Sequence, residues 1–151
     1  STADYPVVQP AADRPPASEA TIPPGAWFGS KPLMVTPDLA AEYLAGIAEA
    51  EPLYAADGIV HPGQILRLCN YVLAQNGVLG PWIHVGSKVC NLGRARVGET
   101  LTARARVDGN YERKGHLFVD LDVLIVAGSG RPVAQVAHTA IYRPRQVIEA
   151  A

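Results

Sequence analysis

The chain has 151 residues, of which 48% are hydrophobic and 18% charged, with a net charge of −1 at neutral pH. One ordinary domain fits that length, and a chain of this size buries roughly 70% of the surface its unfolded form exposes. The near-neutral charge and the lack of any basic run exclude the electrostatic footprint of a nucleic-acid or anionic-membrane binder, and no apolar stretch nears the roughly 20 residues that a bilayer span needs. Cys69 and Cys90 are the only cysteines. Neither belongs to a C-x-x-C or stands near a histidine pair with zinc spacing, so no metal is expected and both read as small buried hydrophobes. That usage, with no signal-peptide h-region, makes a reducing cytoplasm the expected location. The single methionine is Met34, so Ser1 is expected to be a cloning remnant, a processing point or a cut from something longer.

Residues 1–30 are expected to be an extended Pro/Ala-rich arm, because Pro6, Pro10, Pro15, Pro16, Pro23 and Pro24 stand among alanines with no periodicity. Residues 31–151 are expected to form a single domain. Its first helix signal is Thr36-Pro37-Asp38: the threonine can cap, proline suits the first helical position and aspartate complements the dipole. Leu39, Tyr43, Leu44 and Ile47 then share one face, which predicts a helix to about Ala50. A polar loop follows, EAEPLYAADGIVHPG, wedged between two helices, where chemistry tends to sit.

The stretch PGQILRLCNYVLAQNG opens with a proline, and Asn76-Gly77 reads as a left-handed stop. Ile65, Leu66, Leu68, Cys69, Val72 and Leu73 wrap most of its circumference and leave only Gln64, Arg67, Tyr71 and Gln75 as a polar stripe, so this helix is expected to be largely buried. After Pro81 the apolar period becomes two. About four strands are predicted, in an uninterrupted antiparallel meander with turns at Gly98-Glu99, at Asp108-Gly109 or Lys114-Gly115, and at Gly128-Ser129-Gly130. Each strand has one apolar face, and the buried helix is the natural object to cover it, which gives an α+β fold.

Three strings add to this order of elements. GIVHPGQIL, RVGETLTARARV and GRPVAQVAHTAIYRP resemble the entry to the central helix, an inner strand and the closing strand of the hot-dog fold, in particular of MaoC-like dehydratases and (R)-specific enoyl-CoA hydratases. The resemblance spans residues 33–144. It implies a long central helix wrapped by an antiparallel sheet, and dimers, either of one chain or with a related hot-dog subunit. It also implies action on acyl-CoA or acyl-carrier-protein thioesters, with no cofactor beyond the coenzyme A of the substrate. The catalytic string of that family is close to Y-x-x-G-D-x-N-P-[LI]-H, and the matching stretch here is EYLAGIAEAEPLYA. Glu49 stands where the aspartate belongs, Glu51 replaces the asparagine, Pro52 and Leu53 match, and Tyr54 falls at the histidine. In the family the aspartate and histidine hold the water, while a backbone N–H at the start of the central helix polarises the thioester carbonyl.

The residue types bear on these roles. A helix N-terminus presents unpaired N–H groups and a positive dipole end to a developing oxyanion, and Gly63 can supply the donor. Glu49 can act as a base with a longer reach, although a carboxylate ending a helix is otherwise a solvated surface group. Tyr54 can orient water or donate a proton, but an ordinary phenol pKa near 10 makes it a poor general base; its plain alternative is a loop aromatic packed on the sheet. Asp57 and His61 form a second pair four residues apart, able to replace the missing dyad. His61 can equally be a helix-entry residue and Asp57 a turn former. Asn70 lies among apolar residues and is expected to have a partner, backbone or ligand, since an unpaired buried amide costs roughly 1 to 3 kcal/mol. His84 and Ser87 can look toward the cleft, and Arg94, Arg96, Arg104 and Arg106 are solubilising or meet phosphates. Catalytic roles are thus expected of Glu49, Tyr54 or His61, and substrate contacts of Gly63, Asp57, Asn70 and His84. The activities to distinguish are hydration or dehydration of an enoyl or 3-hydroxyacyl thioester, thioester hydrolysis, and a non-catalytic binding or partner subunit.

Overall fold

The computed structural model describes residues 1–146; residues 147–151, the end of the expected domain, lie outside the described residues. The elements run β1 (Trp27–Gly29), β2 (Leu33–Met34), α1 (Pro37–Gly46), α2 (Pro52–Ala55), α3 (Pro62–Asn76), β3 (Ile83–Asn91), β4 (Thr100–Arg113), β5 (His116–Ala127) and β6 (Arg131–Arg143). They build one antiparallel sheet in the order β1-β4-β5-β6-β3, with β2 also on β4. The expected α+β arrangement of helix and antiparallel sheet is present, with α3 against the sheet.

The period-two pattern decides which faces meet. Leu101, Ala103, Ala105 and Val107 of β4 share a face with Val119, Leu121, Val123 and Ile125 of β5, and with Val136, Ala140 and Tyr142 of β6. Against that face lie Leu68, Cys69, Val72 and Leu73 of α3, all nearly inaccessible. Burial of each such aliphatic chain is worth about 1.5–3 kcal/mol, so this seam holds the helix in the curve of the sheet.

Several expectations shift. The meander is uninterrupted only from β4 to β6, because β3 pairs with β6 and forms the far edge. Residues 92–99 are too long for a tight hairpin; Leu92 and Gly93 donate to Val133 O, and Val97 donates to Gly58 O, leading the chain across to β4. The β4–β5 turn is at Lys114-Gly115, both left-handed at φ 52° and 80°, as a two-residue type I′ hairpin requires. Asp108-Gly109 is instead a bulge within β4. Gly77 is extended rather than left-handed. Buried Asn76 ends α3 instead, its side-chain amide donating to Val72 O and Gly29 O at 2.8 Å each. Cys90 is exposed on the edge strand, contrary to the reading of both cysteines as buried, whereas Cys69 is buried and its thiol pushed up to about 12 by burial.

Residues 1–26 run along the domain pinned to their own chain, extended as expected except for a 3-10 turn at Thr2–Asp4 and a turn closed by Ile22 N donating to Ser18 O. Tyr5 donates to Asp122 Oδ2 at 2.7 Å and accepts from Gln135, and Pro15, Arg14 and Ala11 bond Val78, Ala74 and Asn76 around the end of α3. Val8 O lies 1.7 Å from where a Cβ on Gly29 would stand, so only glycine admits this approach. Trp27–Gly29 pair with β4, and the sheet therefore begins upstream of residue 31.

Helix α1 is capped as expected, with Thr36 Oγ1 accepting from Leu39 N at 3.2 Å. It ends at Gly46, four residues before Ala50, and Leu39 and Ile47 of its expected buried face are 40% and 46% exposed. The break comes from Ala48, held at φ 54°, and from Pro52, which begins α2 inside the expected loop. A left-handed L-residue costs about 1–2 kcal/mol. Glycine removes that cost and gives back part of it as unfolded-chain freedom, so Ala48→Gly is expected to stabilise the protein by about 0.5–1 kcal/mol. A higher urea midpoint at unchanged m-value would show it; an unchanged or lower midpoint would not fit.

Candidate functional site

The break after α1 sets the site. Two residues more stand between Gly46 and Glu49 than the resembling string has between its glycine and aspartate, and the left-handed turn at Ala48 takes them up. Glu49 then folds back on its own chain: Oε1 accepts from the N–H of Ala50 at 3.0 Å and of Glu51 at 2.9 Å. Its other oxygen, Oε2, faces His61 Nε2 at 3.7 Å. The two side chains are 31% and 20% exposed and so are reachable from solvent.

His61 is the N-cap of α3, its Nδ1 accepting from Gly63 N at 2.9 Å. A ring nitrogen that accepts an N–H carries no proton, so the neutral ring holds its proton on Nε2, on the side of Glu49. The Gly63 N–H that the sequence offers to a carbonyl is thereby engaged with His61. Tyr54, in α2, lies with its ring 4.7 Å from that of His61. Glu49, Tyr54 and His61, separate in the sequence, thus converge.

Tyr43 was singled out in the sequence only as part of a helix face, and it belongs to this group. Its ring is 5.4 Å from that of His61, and the guanidinium of Arg67 lies over it at 4.7 Å. Its hydroxyl is 2.1 Å from where a Cβ on Gly63 would be, so the helix entry must be glycine for Tyr43 to close on it. The signal was present in Tyr43-Leu44-Ala45-Gly46, which has the Y-x-x-G opening of the string. Gln64 ties the same corner together, its amide donating to Leu39 O at 3.3 Å. One cleft of about 180 Å³ opens on the Tyr54 side and another of about 440 Å³ on the Tyr43 side.

Asp57 is exposed, and the carboxylate that faces His61 is that of Glu49, so the Asp57–His61 pair gives way to Glu49–His61. The amide of Asn70 does not find the partner expected for it among the described residues: its Oδ1 is buried without a hydrogen bond. His84 stands elsewhere, at the β3–β6 edge. Its Nε2 is 3.0 Å from Ser87 Oγ, which is 3.0 Å from His138 Nδ1, and the two imidazoles stack at 4.4 Å. His138 is buried, and burial first and the neighbouring His84 second depress its pKa from the usual 6.5 to about 4. Of the four arginines, Arg104 binds the carbonyls of Thr2 and Tyr5 and Arg106 pairs with Asp108.

No family model and no curated protein matches the sequence. Solved structures do. A monoamine oxidase regulatory protein from Archaeoglobus superposes with a TM-score of 0.70 at 18% identity, over 86% of this chain and 96% of that one. An (R)-hydratase from A. caviae involved in PHA biosynthesis gives 0.64 at 19%, over 78% and 94%. The HadBC complex of Mycobacterium tuberculosis, a (3R)-hydroxyacyl-ACP dehydratase, gives 0.65 at 18%, over 78% and 95%. The chain has the hot-dog fold, as the three strings implied.

Proposed function

We propose that this protein adds water to, or removes it from, acyl thioesters, interconverting a 2-enoyl and a 3-hydroxyacyl thioester with Glu49 and His61 as the water-handling pair. The observation that supports this is the facing of Glu49 Oε2 and His61 Nε2 at 3.7 Å. A water with hydrogen bonds of about 2.8 Å to each atom fits that separation as the apex of a triangle. His61 Nε2–H donates to the water oxygen, and Glu49 takes its proton as the oxygen adds to C3. The same proton is then delivered to C2, so that water is added across the double bond with nothing left over. The Gly63 N–H fixes the tautomer that this requires. An (R)-hydratase and a (3R)-hydroxyacyl-ACP dehydratase share the fold, which favours this chemistry over hydrolysis, with either coenzyme A or a carrier protein bearing the acyl group.

Incubation with trans-2-enoyl-CoA of short, medium and long chain is expected to give the 3-hydroxyacyl thioester by mass spectrometry. Release of free thiol without hydroxyacyl product would replace this reading by a thioesterase. Inert substrates at every chain length would leave a non-catalytic subunit.

The proposed assembly is a dimer formed along β3, with a second copy or a related hot-dog chain. Strand β3 is the outermost of the sheet on its side, and Ile83, Val85 and Val89 are about half exposed along it, the kind of edge that is ordinarily covered. Two of the similar structures are complexes of two different chains, HadBC and ChsH1-ChsH2. Light scattering is expected to give a dimer mass for the wild type, or for its complex with the partner, and a monomer for Val89→Lys. A monomer at all concentrations without any partner bound would count against it.

A further inference from the structure

We infer that the site takes a short acyl group, of about six carbons, in the cleft on the Tyr54 side of His61, with the polar carrier leaving on the Tyr43 side. This rests on the reading above that the site handles acyl thioesters, and it adds the size and the orientation of the substrate. The Tyr54 cleft is formed where α1 meets α2, and Ala40, Ala41, Leu44, Ala55 and Val97 line it with Tyr54. Tyr54 contributes the one polar side-chain atom among these residues, and its ring is the wall shared with His61. An apolar tail placed there runs against the Tyr54 ring, whose contact with His61 joins the cleft to the Glu49–His61 pair.

The volume sets the length. The cleft holds about 180 Å³, and an apolar cavity of about 150 Å³ is known to hold a benzene ring. Six carbons fit, and a ten-carbon chain has to leave part of itself in water. The cleft of about 440 Å³ is mixed in character: Glu42, Gln64 and Arg67 line it together with Tyr43, Leu39 and Ile47, and the guanidinium of Arg67 lies over the Tyr43 ring. Each cleft is lined by a tyrosine whose ring contacts His61, and only the larger one offers charged partners, so an amphiphilic thioester is oriented with its tail on the Tyr54 side and its carrier on the Tyr43 side.

Saturated acyl-CoAs test this, because they cannot be hydrated and report binding alone. Each methylene transferred from water is worth about fourfold in affinity. Titration calorimetry on the full chain is expected to show affinity rising by about that factor per methylene from butanoyl- to hexanoyl-CoA, then levelling through decanoyl-CoA. Ala41→Leu, at an exposed position that tolerates the larger side chain, is expected to return hexanoyl-CoA to the affinity of butanoyl-CoA. Leu44→Ala is expected to move the break to longer chains. A continued rise through decanoyl-CoA, or a hexanoyl affinity untouched by Ala41→Leu, would overturn the assignment. If the break is present but no enoyl thioester is hydrated, the hydration reading fails and the acyl cleft stands; if no acyl-CoA binds, both fail.

Discussion

Glu49→Gln is expected to lower kcat/KM for hydration of a short enoyl thioester by about 10²–10⁴, the usual contribution of a positioned acid–base group. The amide keeps the shape and can still accept from the N–H groups of Ala50 and Glu51 through its oxygen, so the turn that carries it survives. What it loses is the ability to take a proton from water. His61→Ala removes the other side of the pair together with the cap of α3, whose loss costs about 0.5–2 kcal/mol of stability. Its thermal midpoint should therefore fall while that of Glu49→Gln does not. Because the two groups act on one water, the double variant is expected to be no slower than the slower single one. Tyr54→Phe keeps the ring that packs on His61 at 4.7 Å and is expected to retain activity within about tenfold, below the general acid–base range. Multiplying effects in the double variant, or full activity in Glu49→Gln, would remove the pair from the mechanism.

Acidification is expected to destabilise the protein through His138 before the carboxylates titrate. Its folded pKa is about 4 against an unfolded value of 6.5, because burial and the stacked His84 disfavour the imidazolium. The unfolded chain therefore binds more protons between those values, and stability rises with pH across the window. The contribution is complete above pH 6.5, falls as the pH drops below it and is exhausted near 4. At about 1.4 kcal/mol per pKa unit the whole effect is about 3 kcal/mol. Urea melts at half-unit steps from pH 7.5 to 4.5 should show this slope in the wild type. His138→Gln, which cannot titrate, should be flatter over the same range even if it is less stable throughout. Equal slopes in the two proteins would assign the acid sensitivity to other groups.

The apolar periods were enough to place α3 and the strands β4 to β6, because each is long and its burial repeats at 3.6 or 2 residues. The pairing of β3 was not legible in that way. An edge strand and an inner strand of a meander carry the same alternation, and only the length of residues 92–99 and their bonds to Val133 and Gly58 send β3 to the far edge. The end of α1 was misplaced for a related reason: its apolar residues continue in helical register to Ile47, yet Ala48 turns left-handed and the face they mark is partly in solvent.

The candidate site divides along the same line. The sequence by itself determined a buried helix entered at His61-Pro62-Gly63, an antiparallel sheet to receive it, and Glu49, Tyr54 and His61 as the residues with suitable chemistry nearby. Only the tertiary structure decided that His61 faces Glu49 and not Asp57, that the Gly63 N–H serves His61 Nδ1, and that the Tyr43 ring joins them. Spacing along a chain fixes local geometry within a helix or a strand. It does not fix which carboxylate a loop turns toward a ring twelve residues away, and here a single left-handed residue at position 48 makes that choice.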